Sequence, residues 1–128
     1  MKNLKEQYLE LMQEKLDAMQ EMLDATQSHV FTGEEGLAQA EAAAFAGYYK
    51  ARMNYFIRIK KTEEAMKRLD LLDTKDMADT SFGVRVVGFR EKMISIAREM
   101  ALLDATNADA YRKINVYLRK DENDEQRN

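Results

Sequence analysis

An apolar ladder runs through the second half of this chain at the spacing of an α-helix. Its rungs follow one another at intervals of three or four residues, which places their side chains on one face of a helix. The rungs are Phe82, Val86, Phe89, Met93, Ile96, Met100, Leu103, Asn107, Ala110, Ile114 and Tyr117. Only Asn107 is strongly polar, and we predict that it fixes helix register, as a lone polar residue does in coiled coils. An apolar face of this length must pack against other helices.

Two similar ladders precede this one, and the chain contains no proline to interrupt a helix. The pattern predicts a first helix over residues 3–27, a second over 34–72 and a third over 82–118. Residues 70–81 contain several Asp, Thr and Ser residues, which favour turns and helix caps. We therefore predict an all-α fold, an antiparallel bundle of three or four long helices with coiled-coil-like packing.

The segments between the helices allow some finer predictions. Thr32 and Glu35 have the spacing of a capping box at the start of the second helix. Met77 is expected to pack a short turn onto the bundle. We assign residues 1–118 to one helical bundle domain and residues 119–128 to a charged, disordered tail.

The composition argues against several classes of function. The chain has 128 residues, no cysteine and one histidine, so a thiolate site, a histidine-based metal site and a Ser-His-Asp triad have no basis. We read His29 as a helix cap or a solvated residue. No signal peptide or membrane span is apparent, so we expect a cytoplasmic protein without membrane insertion. We also expect no enzymatic activity and no cofactor.

Residues 48–61 interleave aromatic side chains with five cations and contain no acid. Such a segment is able to hold single-stranded nucleic acid by stacking and phosphate contacts. Alternatively, its aromatic residues belong to the core and the stems of Lys and Arg border it. Because the net charge of -3 gives no general attraction for nucleic acid, we favour the second interpretation.

The second helix is apolar over more than half of its circumference near its middle. One neighbour cannot cover so wide a face, so the helix either touches two neighbours or awaits a partner. Met53, which lies beside Phe45, Tyr49 and Phe56, is the best candidate for an exposed patch that accepts an apolar partner. In the last helix, Tyr111 lies one position off the ladder, where it serves either as a docking residue or in packing.

The order of the helices and breaks also carries a family resemblance. A long first helix is followed by a break at Thr32-Gly33-Glu34-Glu35 and by a second helix rich in charged and aliphatic residues over 49–69. The last helix contains Leu102-Leu103-Asp104 and ends in a charged segment. In these features the chain resembles the small flagellar type III export chaperones of the FliT/FlgN-like kind. The alanine-rich run 38–46 and the Val/Gly passage 83–88 depart from the usual pattern of that family.

The resemblance implies a cytoplasmic chaperone that binds the C-terminal helical segment of a filament-cap or hook-associated protein and delivers it to the export apparatus. An amphipathic cargo helix would lie in a groove between bundle helices. The expected groove residues are Phe45, Tyr49, Met53 and Phe56, with Met93 and Met100 across from them. An aromatic residue of the last helix would contact the export gate, and Tyr111 and Tyr117 are its candidates.

Two interpretations from other classes of protein remain open. In the first, the chain is a structural coiled-coil subunit whose wide apolar faces are buried in a homodimer. In the second, which the net charge disfavours, it is a small nucleic-acid-binding regulator that uses residues 48–61.

Overall fold

Three long helices make up the part of the chain that the structure describes. This computed structural model describes residues 3–69 and 79–127, and within them the helices are α1 (Leu4–Gln27), α2 (Ala38–Arg68) and α3 (Thr80–Arg127). One turn of 3₁₀ helix, Glu35–Leu37, precedes α2. The described ranges contain no strand. The prediction of an all-α helical bundle is therefore confirmed.

Helix α1 lies between the other two and packs along both of them. It runs parallel to α3, because Lys5 near its start contacts Asp79 just before α3 at 2.9 Å. Helix α2 runs antiparallel to both, and Tyr48 in its first half lies beside Thr26 at the end of α1. Contact between α2 and α3 is less extensive than the contact of α1 with either helix. Among the described residues, the α2–α3 junction is therefore the least tightly packed of the three helix pairs.

The larger core lies between α1 and α3, where the apolar ladders of the two helices face each other. Its buried residues are Leu9, Met12, Leu16, Met22, Leu23, Phe82, Val86, Met93, Ile96 and Met100. Half-buried Tyr55, Ile59 and Met66 of α2 pack against this cluster. Every rung of the α3 ladder is buried or half-buried. The helical spacing alone therefore identified the inward face of α3 correctly.

A second core lies at the other end of the bundle, beyond the last turn of α1. There the connector of residues 28–37 takes the place of α1 and inserts Phe31 against Phe45 of α2, with the ring centroids 3.7 Å apart. Ala110 and Ile114 of α3 close this cluster. The connector approaches α3 closely at Gly33, which has a φ of 73°, and a Cβ added there would lie 3.1 Å from the Cα of Ala110. Only glycine suits both the left-handed backbone and this contact.

The polar rung of the ladder has a different role from the one predicted. Asn107 is buried, its Oδ1 accepts a hydrogen bond from the Phe31 N–H at 3.0 Å, and its Nδ2 donates to the His29 carbonyl at 3.2 Å. Asn107 therefore holds the connector rather than setting the register of two helices. The reason is the position of Asn107 along the bundle axis. At this level α1 has already ended, and the connector that lies there has backbone groups without helical hydrogen bonds.

The start of α2 also differs from the prediction. Its N-cap residue, Leu37, makes no side-chain capping hydrogen bond, and neither does Glu34, which precedes the 3₁₀ turn. The Thr32 hydroxyl accepts a hydrogen bond from the Glu34 N–H at 3.2 Å, one residue before Glu35. The predicted capping box of Thr32 and Glu35 is wrong. Instead the Glu41 carboxylate accepts hydrogen bonds from the Thr32 N–H at 2.8 Å, the Thr32 hydroxyl at 2.9 Å and the Gly33 N–H at 3.0 Å. A carboxylate in the first turn of α2 thus satisfies donors in the connector.

The Glu41 interaction predicts a pH dependence. Burial acts to raise the pKa of Glu41, but the hydrogen bonds from Thr32 and Gly33 together outweigh it and lower the pKa below its ordinary value of 4.5. The stabilisation is therefore present above pH 4.5 and is lost as the pH falls through the lowered pKa. We expect Glu41→Gln to lower the free energy of unfolding by about 0.5 kcal/mol at pH 7, since the site is partly solvated.

Urea unfolding at pH 7 and pH 3.5 measures this effect. The difference in the free energy of unfolding between Glu41→Gln and the parent protein should be smaller at pH 3.5 than at pH 7. Glu35→Gln is the matched control, because Glu35 is exposed and is the residue that a capping box would require. A larger loss for Glu35→Gln than for Glu41→Gln would contradict the assignment.

Helix α3 begins at Thr80, so the Val/Gly passage that follows Phe82 is helical from its start. The Asp79 Oδ1 accepts a hydrogen bond from the Phe82 N–H at 3.2 Å, the interaction of an N-cap residue. The Lys5 ammonium and this N–H lower the pKa of Asp79. At the other end α3 continues to Arg127, beyond the end at residue 118 that the pattern predicted. The predicted packing of Met77 lies outside the described residues.

Candidate functional site

One face of α2 carries four large apolar side chains that the bundle leaves open to solvent. Tyr49, Met53, Phe56 and Ile57 are exposed by 50%, 57%, 44% and 49%. We call these four residues the α2 stripe. They follow one another at intervals of four, three and one, so they lie on one side of the helix over about two turns. The wide apolar face predicted for this helix thus exceeds what its two neighbours cover.

Phe45 precedes the α2 stripe by one turn, but it is only 2% exposed. Phe31 stacks on one side of its ring, Tyr49 lies with its centroid at 5.8 Å, and the edge of Tyr111 approaches at 5.1 Å. A partner cannot reach Phe45 in this conformation, so its predicted place in the groove has to be corrected. Phe45 supports two exposed tyrosines from beneath.

Met93 and Met100 also differ from their predicted position across the groove. They are 8% and 5% exposed and belong to the core between α1 and α3. The cause is the rotation of α3 about its own axis, which turns the apolar ladder toward α1. The residues of α3 that meet α2 beside the stripe are Asp104 and Tyr111.

The two tyrosines of α3 are now distinguished by their exposure. Tyr111 is 42% exposed, and its ring lies against Phe45 across the α2–α3 junction. Tyr117 is half-buried and packs against the second core. Of the two, Tyr111 offers the larger accessible surface, and it adjoins the α2 stripe.

A polar network joins the three helices directly beneath the stripe. The Arg52 guanidinium forms a bidentate ion pair with the Asp104 carboxylate. The distance from Nη2 to Oδ2 is 2.7 Å. Arg52 also donates to the Tyr48 hydroxyl at 3.1 Å, which in turn lies 2.7 Å from the hydroxyl of buried Thr26. The hydrogen bond with Asp104 is the main cause that raises the pKa of Arg52. The network therefore fixes the position of the Arg52 guanidinium.

The same guanidinium lies over the Phe56 ring, 5.3 Å from its centroid. A cation above an aromatic face is attracted by the ring electrons, so Phe56 is held in an exposed position. Sequence reasoning missed this arrangement. Nothing in the spacing of residues 48–61 shows which of the five cations meets an acid of α3.

A second opening lies between α1 and α3 on a different side of the bundle. This cleft has a volume of about 480 Å³. Its lining residues are Leu16, Asp17, Gln20, Leu23, Gln27, Lys92, Ser95, Ile96 and Glu99. None of the predicted site residues lines it. Its rim mixes both signs of charge, whereas the stripe is uniformly apolar.

Comparison with known proteins leaves the family open. No protein-family model matches this chain, and no similar protein is found among the curated proteins or the solved structures. The resemblance to flagellar export chaperones therefore rests on the order of the helices and stays a prediction. Over the described residues, no helix combines the length and apolar character needed to cross a bilayer.

Proposed function

We propose that this chain is a cytoplasmic, non-enzymatic export chaperone of the flagellar FliT/FlgN-like kind. It binds the C-terminal helical segment of a filament-cap or hook-associated protein and delivers it to the export apparatus. The observation that supports this proposal is the α2 stripe, a row of large apolar side chains that a monomeric bundle would ordinarily cover. An amphipathic partner helix is the kind of segment that covers such a row.

The far side of the proposed groove is formed by α3. Asp104 marks the side of α3 that borders the junction with α2. Three alanines share that side because they are one or two helical turns from Asp104: Ala97 lies seven residues before it, Ala101 three before it and Ala108 four after it. All three are exposed. Small side chains there leave room for a partner helix to lie beside the larger side chains of α2.

The size of the surface limits how the partner binds. Full burial of a large apolar side chain is worth about 2 kcal/mol, so the half-exposed stripe supplies about 4 kcal/mol in total. A dissociation constant near 1 μM requires about 8 kcal/mol after the entropic cost of association. The partner must therefore also cover the alanines of α3, and burial of its own apolar side chains must supply the rest.

Tyr111 is our candidate for the aromatic contact to the export gate that the resemblance implies. Its exposure supports this choice over Tyr117, which packs against the second core. Because Tyr111 adjoins the stripe, a bound cargo helix would lie next to the residue that the gate contacts.

Calorimetric titration of the purified chain tests the proposal. The titrants are C-terminal segments of flagellar cap and hook-junction proteins from the same organism. We expect stoichiometric binding of at least one segment with a dissociation constant of about 1 μM or tighter. The control is the same segment with its apolar residues redistributed around the helix, which should not bind.

No heat with any segment, from a folded and monodisperse sample, would contradict the proposal. A tight dimer whose mass does not depend on concentration, and which binds no hydrophobic dye, would instead support the structural coiled-coil subunit.

A further inference from the structure

The charge around the α2 stripe has one sign. Between Glu41 and Glu63 the chain contains no acid and five cations. Arg52 and Arg58 are paired with Asp104 and Glu21. The three remaining lysines, Lys50, Lys60 and Lys61, are exposed and form no ion pair within the described residues.

Two of these lysines lie at the edges of the stripe. Lys60 follows Phe56 by four residues and continues the line of the stripe by one turn, and Lys50 directly follows Tyr49. Lys61, by contrast, lines a cleft with Glu14 and Asp17 of α1. On the opposite wall, Arg90 is exposed and lies seven residues before Ala97, so it shares the side of α3 that borders the groove.

The nearest acid on α3 does not offset these cations. Asp104 is the acid that contacts α2 at this junction, and both of its oxygens are bound by Arg52. The groove therefore combines an apolar floor with a rim that is positive from Lys50 to Lys60; beyond it, Glu63 is paired with Lys15 and exposed Glu64 lies one turn after Lys60.

We infer that the partner helix of this groove carries acidic side chains that flank its apolar face. This inference rests on the proposed function and adds the chemistry of the partner to it. Opposite charges at the edge of an interface select partners and speed their association. Lys50 and Lys60 are about 15 Å apart along α2, so the acids of the partner helix should lie about ten residues apart, on either side of its apolar residues.

The same charges disfavour a second copy of this chain as the occupant. A twofold axis that crosses the stripe midway between positions 50 and 60 would place Lys50 of each copy beside Lys60 of the other. Like charges in such positions oppose association. Nucleic acid is also a poorer fit, because Met53 and Ile57 fill the space between the lysines with aliphatic side chains that contact neither phosphates nor stacked bases well.

Binding of three labelled peptides, measured by fluorescence anisotropy, tests the inference. The peptides are helical, about 20 residues long, and share one leucine face, and they carry Glu, Gln or Lys at the flanking positions. At about 50 mM salt we expect the Glu peptide to bind about tenfold more tightly than the Gln peptide, and the Lys peptide to bind most weakly. The preference should shrink at about 500 mM salt.

Variants of the chain locate the effect. Lys50→Gln with Lys60→Gln should remove the preference for the Glu peptide over the Gln peptide. The matched control is Lys92→Gln with Lys120→Gln. It makes the same change of charge at exposed positions of α3 and should keep the preference for the Glu peptide.

Equal binding of the Glu and Gln peptides at low salt would overturn the inference but not the proposed function. Failure of all three peptides to bind would count against helix binding at the stripe itself. A single-stranded oligonucleotide that binds more tightly than the Glu peptide, and competes with it, would overturn the inference in favour of nucleic acid.

Discussion

Replacing Phe45 with alanine is expected to lower the free energy of unfolding by about 3–5 kcal/mol, the range found for buried phenylalanines. The ring is 2% exposed and stacks on Phe31 of the connector. Its loss would open a cavity where α2, α3 and the connector meet, and would remove the ring on which Phe31 of the connector stacks. Urea unfolding followed by circular dichroism at 25 °C measures the change.

Two further variants separate this effect from a role in binding. Phe45→Leu should recover most of the loss, because it keeps much of the volume. Met53→Ala removes an exposed side chain of similar size and should change stability by less than about 0.5 kcal/mol. A stable Phe45→Ala protein that has lost only its affinity for a partner would contradict the structural role given to Phe45.

Asp104→Asn is expected to lower the free energy of unfolding by about 2 kcal/mol. The substitution keeps the shape of the side chain but removes the charge that faces Arg52, whose own side chain is only 15% exposed. Charge-assisted hydrogen bonds are worth more than neutral ones, and a partly buried cation without its counter-charge is costly. The loss should be visible in urea unfolding at pH 7.

Asp109→Asn is the control for this variant. Asp109 forms ion pairs with Arg112 and Lys113 on the exposed surface of the same helix. Such pairs contribute little, so the expected change is below about 0.5 kcal/mol. In a double-mutant cycle, Arg52→Gln with Asp104→Asn should cost less than the sum of the single changes. Equal costs for Asp104→Asn and Asp109→Asn would show that the network does not hold the helices together.

The fold was predictable because its main signal is local. The spacing of apolar residues reports which residues share a helix face, and every rung from Phe82 to Tyr117 is buried or half-buried as that spacing requires. The start of α3 was also within reach, since Asp79 is a residue type that favours helix caps.

What the sequence does not show is how the helices are rotated relative to one another. Met93 and Met100 lie on the same inward face, but the spacing alone does not say whether that face meets α1 or α2. The pairing of Arg52 with Asp104 depends on the same rotation. Asn107 binds the connector because α1 ends just below it along the bundle axis. The spacing of apolar residues does not show at which level of α3 the first helix ends.

The candidate site was predicted in part for the same reason. The apolar face of α2 is wider than one neighbouring helix covers, which indicated that Tyr49, Met53 and Phe56 remain accessible. All three are exposed. Phe45 is buried because Phe31 of the connector stacks on its ring. A ten-residue connector has no periodicity from which such a contact follows.

The α2 stripe as the docking surface is the central claim, and one paired titration tests it most directly. A cargo segment that binds the parent protein is titrated into Tyr49→Ala with Phe56→Ala, and into Val84→Ala with Leu102→Ala, which removes apolar side chains from exposed positions of α3. Leu102 lies two residues from Asp104 and therefore on the side of α3 turned away from the groove. We predict that the first variant stays folded and binds about 30-fold more weakly, while the second binds as the parent does. Unchanged affinity in the first variant, or an equal loss in both, would contradict the claim.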